Sequence, residues 1–305
     1  MPEPLMEELN FLVTLLEKYP LESLKKIAES EGMDYYKLKR LYDKYYGKYV
    51  TVSAMYNIRK IGLRSFVAFM SVPSSSLKET AMKISQNPFV PYINPAFGFK
   101  NGLSILLHVP TDQVDLIDEF MSRYSDDYEY YEIRGYPPSH DDNFGEWNLS
   151  YEYAILMDIL KWNARTPITQ IAQEIGKTRP TVRYMINRLK EEGILISFTP
   201  LIDMNVHDRG VIGITKELDD TVLERFKDYE ITVGLLPGHG YFLEWFFSSQ
   251  EDLGTKIMEF SQYVDKILVE YFDKTFKEMN DRQLVKRYQR MVKKDGSGYY
   301  PITSF

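Results

Sequence analysis

Between Gly176 and Lys190 every charged side chain is a cation: Lys177, Arg179, Arg183, Arg188 and Lys190. The 305-residue chain as a whole carries a net charge of −7, so this cluster is a local departure from an acidic background. Its residue types suit a polyanion with readable edges. A guanidinium can pair bidentately with guanine O6 and N7, and an asparagine amide with adenine N6 and N7. Arg179, Arg183, Tyr184 and Asn187 are the candidates for such edges, and Arg188 and Lys190 suit phosphates, which position a protein without reading sequence. Lys177, Thr178 and Thr181 complete the set. The same charges on an ordinary packing helix would be a solvated face, so the surrounding elements decide.

Those elements are legible. Thr178 stands where a helix N-cap would accept an amide proton, and Pro180 falls in the first turn, where helical amides lack partners anyway. Val182, Met185, Ile186 and Leu189 recur at helical spacing and predict a buried face. Gly193 is placed to end the helix and Gly176 to end the preceding one, "ITQIAQEIG". Two short helices around a glycine turn, the second basic outside, predict a helix-turn-helix, with "ILISFTPLI" as a wing hairpin. About 15 helical residues span roughly 22 Å, enough to lie in a major groove. Double-stranded DNA is the expected partner.

The chain also repeats itself. "LKKIAESEGMDYYKLKRLYDKYYG" (24–47) aligns with "ITQIAQEIGKTRPTVRYMINRLKEEG" (168–193), setting Ile27-Ala28 on Ile171-Ala172 and Gly32 on Gly176. "KIGLRSFVAFM" (60–70) aligns with "DRGVIGITKEL" (208–218), and "EFMSRY" (119–124) with "EFSQY" (259–263). The conserved order predicts an internal duplication, its halves joined by the Pro- and Gly-bearing segment "GYPPSHDDNFGEW". Each half reads as a long amphipathic helix, two shorter helices, an extended stretch, and then strand–helix–strand–strand–helix–strand. The fold class expected is α+β: a duplicated winged helix-turn-helix, each followed by a ferredoxin-like βαββαβ domain. The divisions are 1–60 (winged-helix-like), 61–138 (α+β), 139–147 (linker), 148–205 (second winged helix), 206–275 (second α+β) and 276–305 (a basic helix and a loose tail). In the first half the outward cations are Lys39, Arg40 and Lys44, beside Tyr35 and Tyr36. Such a face suits phosphates and sugars but lacks base-reading arginines, so a second DNA-binding head and a packing remnant both stay open.

Composition narrows the classes. Cysteine is absent, which removes disulfides, thiolate metal sites and thiol nucleophiles. No apolar run approaches the roughly 20 residues of a membrane helix, and the acidic start "MPEPLMEELN" lacks a signal-peptide pattern. A cytoplasmic protein without membrane contact is expected. Of the four histidines, His108, His140, His207 and His239, only His239 has a site-like setting, between two glycines. No metalloprotease, nucleophile-elbow or phosphate-loop pattern appears, so no enzyme, metal or cofactor is expected.

The stretch "TPITQIAQEIGKTRPTVRYMINRLKEEGILISFTPLID" (166–203) resembles the winged helix-turn-helix of the Lrp/AsnC regulators, and the α+β unit after it resembles their effector-binding, dimerising domain. The resemblance implies a sequence-specific transcription regulator whose α+β domains pair; in a duplicated chain they would pair internally as a pseudo-dimer, with homodimerisation as a further level. It departs from the family at Met185, where arginine is frequent. It also departs at the effector hairpin, which here reads "LLPGHGYFLEW" (235–245) and "INPAFGFKNGL" (93–103). A small-molecule effector, if bound there, would meet Gly238, His239, Gly240 and Tyr241 of one half and Asn94, Phe97 and Phe99 of the other. The same double architecture resembles the siroheme decarboxylases, which handle tetrapyrrole propionates with histidines; that enzyme reading and a DNA-coating architectural protein are the alternatives.

Overall fold

The computed structural model describes residues 3–138, 143–202, 209–229, 231–247 and 253–305. His140, His207 and the first part of the expected linker lie outside the described residues. The first half runs α1 (Glu3–Lys18), α2 (Leu24–Glu31), α3 (Tyr35–Tyr45), β1 (Val50–Tyr56), β2 (Leu63–Ser71), α4 (Leu77–Ile84), β3 (Tyr92–Gly98), β4 (Gly102–Pro110), α5 (Ile117–Ser122), β5 (Tyr128–Glu132) and a short β6 (Arg134–Gly135). The second half follows as α6 (Tyr151–Trp162), α7 (Ile168–Ile175), α8 (Arg179–Glu191), β7 (Leu195–Ile202), β8 (Arg209–Thr215), α9 (Asp220–Arg225), β9 (Thr232–Leu236), β10 (Gly240–Phe247), α10 (Leu253–Phe260) and β11 (Lys266–Tyr271). Two further helices, α11 (Lys274–Leu284) and α12 (Arg287–Met291), come after it. Among the described residues no helix is long and apolar enough to cross a membrane.

The elements gather by type rather than by half. Residues 1–60 and 148–204, with 294–297, form one compact unit, and residues 61–147 and 205–293, with 298–305, form the other. The first unit holds both helix-turn-helix heads. Its seam is β1 against β7, antiparallel in the register Val50↔Ile202 to Ser53↔Thr199. The expected wing hairpin is therefore corrected: among the described residues β7 has no hairpin partner of its own and pairs with the corresponding strand of the other head. A lone strand leaves its amides and carbonyls unpaired, and the duplicate supplies the missing ladder. Side chains lock the seam. Leu9, Leu12 and Leu16 of α1 pack with Tyr45, Val50, Val52 and Ala164. Ala164 donates its amide to the Val52 carbonyl at 2.7 Å, Ser53 Oγ donates to the Lys161 carbonyl at 2.7 Å, and Arg165 donates to the carbonyls of Pro20 and Glu22.

The second unit is a single nine-stranded sheet in the order β5-β2-β4-β3-β11-β8-β10-β9-β6. Each half contributes the ferredoxin-like order in four strands: β5-β2-β4-β3 and, correspondingly, β11-β8-β10-β9. The edge strand β3 joins β11, and the edge strand β9 joins β6, which continues β5 after one residue. The sheet thus closes on itself through two equivalent seams. Val67, Phe69, Ala96, Ile212, Ile214, Leu236, Phe242 and Leu268, from both halves, fill its interior. Its outer face in the second half is a separate core in which Trp245, Phe247 and Leu243 pack under Val222, Phe226 and Phe260.

The C-terminal expectation is also corrected. The basic segment is two helices rather than one, broken at Lys286, whose φ of 52° is left-handed. The tail is not loose. Ile302 is 2% exposed; its carbonyl accepts from Asn87 Nδ2 at 2.7 Å and its amide donates to Gln113 Oε1 at 2.8 Å. Tyr299 Oη donates to the Ile61 carbonyl at 2.6 Å. Deleting residues 299–305 strands two buried amides, at about 1–3 kcal/mol each. Together with the lost burial this is expected to lower the melting temperature by about 6 °C or more. Differential scanning calorimetry checks it; an unchanged midpoint would show that the tail carries no stability.

Candidate nucleic-acid interface

The turn between α7 and α8 is set by Gly176, the α7 C-cap, at φ 72°. A side chain there would pay the left-handed penalty, and Gly32 does the same at the end of α2 with φ 61°. Two residues on, Thr178 caps α8 by accepting the Thr181 amide proton at 3.3 Å, with Pro180 in the first turn. Val182, Met185 and Leu189 are buried. That face holds the helix in place and leaves Arg179, Arg183, Tyr184, Asn187 and Lys190 exposed, Tyr184 at 64%.

The cations of this segment differ in how far they are committed. Lys177 pairs with Glu152 at 3.0 Å. Arg188 pairs with Glu192 at 2.6 Å and lies over the Tyr153 ring at 5.4 Å. Lys190 lies over Phe198 at 5.5 Å. Arg179 and Arg183 form no ion pair among the described residues. Arg179 and Arg183, the candidates for base edges, are thus bare among the described residues, while Arg188 and Lys190, the candidates for phosphates, are steadied by neighbours.

In the first head, α3 starts at an anionic cap, Asp34, which accepts the Lys37 amide proton at 2.8 Å. Leu38 and Tyr45 are buried. Lys39 is paired with Asp43 on its own helix, and Lys44 with Glu8 at 2.6 Å, the same carboxylate that accepts from Tyr45 Oη. Arg40 is exposed beside Tyr36 and Lys37. A groove of about 540 Å³ runs there, floored by Phe11, Met33 and Leu41 and rimmed by both signs of charge, Lys37, Arg40 and Lys44 with Glu7 and Glu8.

The effector candidates separate. Phe99 and His239, from hairpins of different halves, reach one end of the closed sheet: His239 meets the Tyr131 ring edge-on at 5.1 Å, and Lys266 Nζ lies 5.2 Å over Phe99 and 5.6 Å over Tyr131. Lys266 is also paired with Glu129. Gly238 and Gly240 frame the His239 turn. At φ 110°, with a Cβ position only 2.1 Å from the Thr215 carbonyl oxygen, Gly240 is required by the backbone. Tyr241 packs instead on Tyr136 at 5.6 Å. Phe97 packs on Tyr271, away from the Phe99–His239 cluster. Asn94 is 1% exposed and deep in the sheet.

Around Asn94 lies a group of residues not singled out from sequence. Glu270 is 2% exposed with Oε2 unpartnered among the described residues, as is Asn94 Nδ2. Asn280 of α11 clasps the Ile93 backbone from both sides, accepting its amide at 3.0 Å and donating to its carbonyl at 3.1 Å. Glu244 stands near Glu270 with β8 between their strands. Burial, and then the charge of Glu270, push the Glu244 carboxyl up to about 8. Burial pushes Glu270 up to about 7, against the dipoles of Ser104 and Asn94. The available signal was an acid inside each of two apolar strands, "YFLEWFF" and "KILVEY".

Residues 151–196 match the family described as winged helix-turn-helix DNA-binding. The HTH-type transcriptional regulator LrpA of Pyrococcus abyssi is 35% identical over 83 residues, 25% of this chain and 57% of that protein. An uncharacterised HTH-type transcriptional regulator of Pyrococcus horikoshii is 27% identical over 73 residues, 24% of this chain and 45% of that protein. The chain spans about half the length of the curated relatives it matches. The crystal structure of the siroheme decarboxylase NirDL covers 91% of this chain and 98% of its own at 15% identity, with a TM-score of 0.61. The same enzyme with an iron-uroporphyrin III analogue gives 0.62. The fold is thus α+β, with a winged helix-turn-helix matched at residues 151–196 and a head of corresponding element order in the first half. The expectation that the chain is no enzyme is overturned: a catalyst shares its architecture over nearly the whole length, and a scaffold of this kind hosts either function.

The carboxyl pair makes stability depend on pH. In the unfolded chain both groups ionise near the ordinary glutamate value, about 4.3. Between there and about 8 the folded state holds more protons, so stability falls as pH rises through that window. The melting temperature is expected to drop from pH 5 to pH 8. Glu244→Gln, which removes the repulsion, should flatten that drop and melt at least about 2 °C higher at pH 8. Parallel profiles for the two proteins would show that the pair does not control the slope.

Proposed function

We propose that the protein is a sequence-specific transcription regulator of Lrp type that binds double-stranded DNA through α8. The observation that carries this reading is the pair of uncommitted guanidiniums, Arg179 and Arg183, presented with Asn187 on a helix whose opposite face is buried. A family match over the same helix supports it. One chain supplies both heads and both α+β domains, so it acts as its own dimer. A small apolar or aromatic effector would bind at the end of the closed sheet where Phe99, Tyr131 and His239 converge, since rings from both halves make a wall there.

A second reading, an enzyme acting on a tetrapyrrole, is favoured by the likeness to NirDL. Polycarboxylate ligands need available cations. Along the sheet Lys266, Arg64, Arg134 and Lys100 are each paired with a carboxylate, which favours the regulator.

Arg179→Ala and Arg183→Ala are expected to weaken binding to the preferred sequence by about 1–3 kcal/mol each. Arg188→Ala should weaken all sequences alike and lower the salt slope by about one charge. Footprints and salt titrations check this; a double Arg179/Arg183 variant that footprints like wild type would dismiss α8 as the reading helix. Adding siroheme separates the two readings: a saturable Soret band would favour the enzyme, and none at saturating ligand would favour the regulator. In a thermal-shift screen of metabolites, any stabilising hit should be lost in Phe99→Ala, and one retained there would place the pocket elsewhere.

A further inference from the structure

The two heads correspond residue by residue from their glycine turns onward. Gly32 and Gly176 close the first helices, and the caps Asp34 and Thr178 each come two residues later. Counting on from the caps sets buried Leu38 on Val182 and buried Tyr45 on Leu189. The outward positions then diverge. Arg179 corresponds to Tyr35, Arg183 to Lys39, Asn187 to Asp43 and Arg188 to Lys44. Where α8 offers a bare guanidinium, α3 offers a tyrosine or a lysine tied to Asp43. Where α8 offers an amide, α3 offers that same Asp43. A neutral threonine caps α8, whereas a carboxylate caps α3, at the end of the helix that meets base edges and phosphates.

Resting on the reading of α8 as a DNA-binding helix, we propose that this chain recognises an asymmetric site. α8 specifies one half, and α3 rests on the other half through Tyr36, Lys37 and Arg40 without choosing its bases. The β1–β7 ladder makes both heads parts of one unit, so the second half-site is always presented with the first. Exposed tyrosines and a lone arginine contact sugar and phosphate on any sequence, and two carboxylates on the reading face keep α3 from holding the duplex tightly. Twofold regulators mirror palindromes because their two heads are identical; here they are not.

The test is selection of bound sequences from a random duplex pool, with wild type and with a graft that copies the α8 surface onto α3: Asp34→Thr, Tyr35→Arg, Lys39→Arg and Asp43→Asn. All four positions are exposed, the new cap is a competent one, and circular dichroism confirms that the graft folds. Wild type should yield one half-site with defined bases and a neighbouring half without preference. The graft should yield an inverted repeat and bind it at least tenfold more tightly than wild type does. An inverted repeat selected by wild type would overturn the proposal, as would a graft whose second half stays degenerate. Arg179→Ala/Arg183→Ala serves as the separate control: if it selects the wild-type site, the reading of α8 has failed, whatever the graft does.

Discussion

A four-stranded ferredoxin-like sheet has two open edges, each a row of amides and carbonyls that must find partners or attract another chain. Here each half uses the edges of the other. The β3 edge takes β11, and the β9 edge takes the strand run that continues β5. With both seams made, the sheet closes and its inner face becomes an interior shared by the two halves. The same need operates on the heads, where β1 and β7 are each too little to stand as a sheet and pair with one another. Duplication within one chain is therefore more than redundancy. It puts the required partner at an effective concentration set by the connecting segment, on the order of millimolar for a short tether.

How much of this could be read from the residues depends on the range of the forces involved. The helix-turn-helix grammar is local: Gly176, Thr178, Pro180 and the Val182/Met185/Leu189 spacing each act within a turn or two, and the structure places them as the spacing predicts. Strand order within each half follows from short connections and alternation. The seams do not, because pairing partners such as Ala96 and Glu270 lie far apart in sequence. That is why β7 read as half of a hairpin. The tail "SGYYPITSF" looked loose for the same reason: its partners Asn87 and Gln113 lie 215 and 189 residues from Ile302. Of the effector candidates, Phe99 and His239 converge at one end of the closed sheet, while Asn94 and Phe97 on β3 pack elsewhere, a separation that sequence spacing does not show.

The acidic balance of the chain also acquires a physical sense. In the closed sheet, cations such as Lys266, Arg64 and Lys100 are matched by carboxylates, and buried Glu270 and half-buried Glu244 have no cation among the causes that shift them. On α3, Lys39 and Lys44 are matched as well. Arg179 and Arg183 are left unmatched on α8 among the described residues. The net acidity is thus compatible with a local positive pull at Arg179 and Arg183, while Lys177 and Arg188 beside them are ion-paired.

The claim on which the account turns is that one chain is a complete two-headed unit. Native mass spectrometry of the protein on its minimal footprinted duplex measures this directly. The account predicts one 35.9 kDa chain per duplex at concentrations where the site is just saturated, and unchanged occupancy when protein is added in twofold excess. Two chains bound cooperatively, with no singly occupied duplex at any ratio, would contradict it.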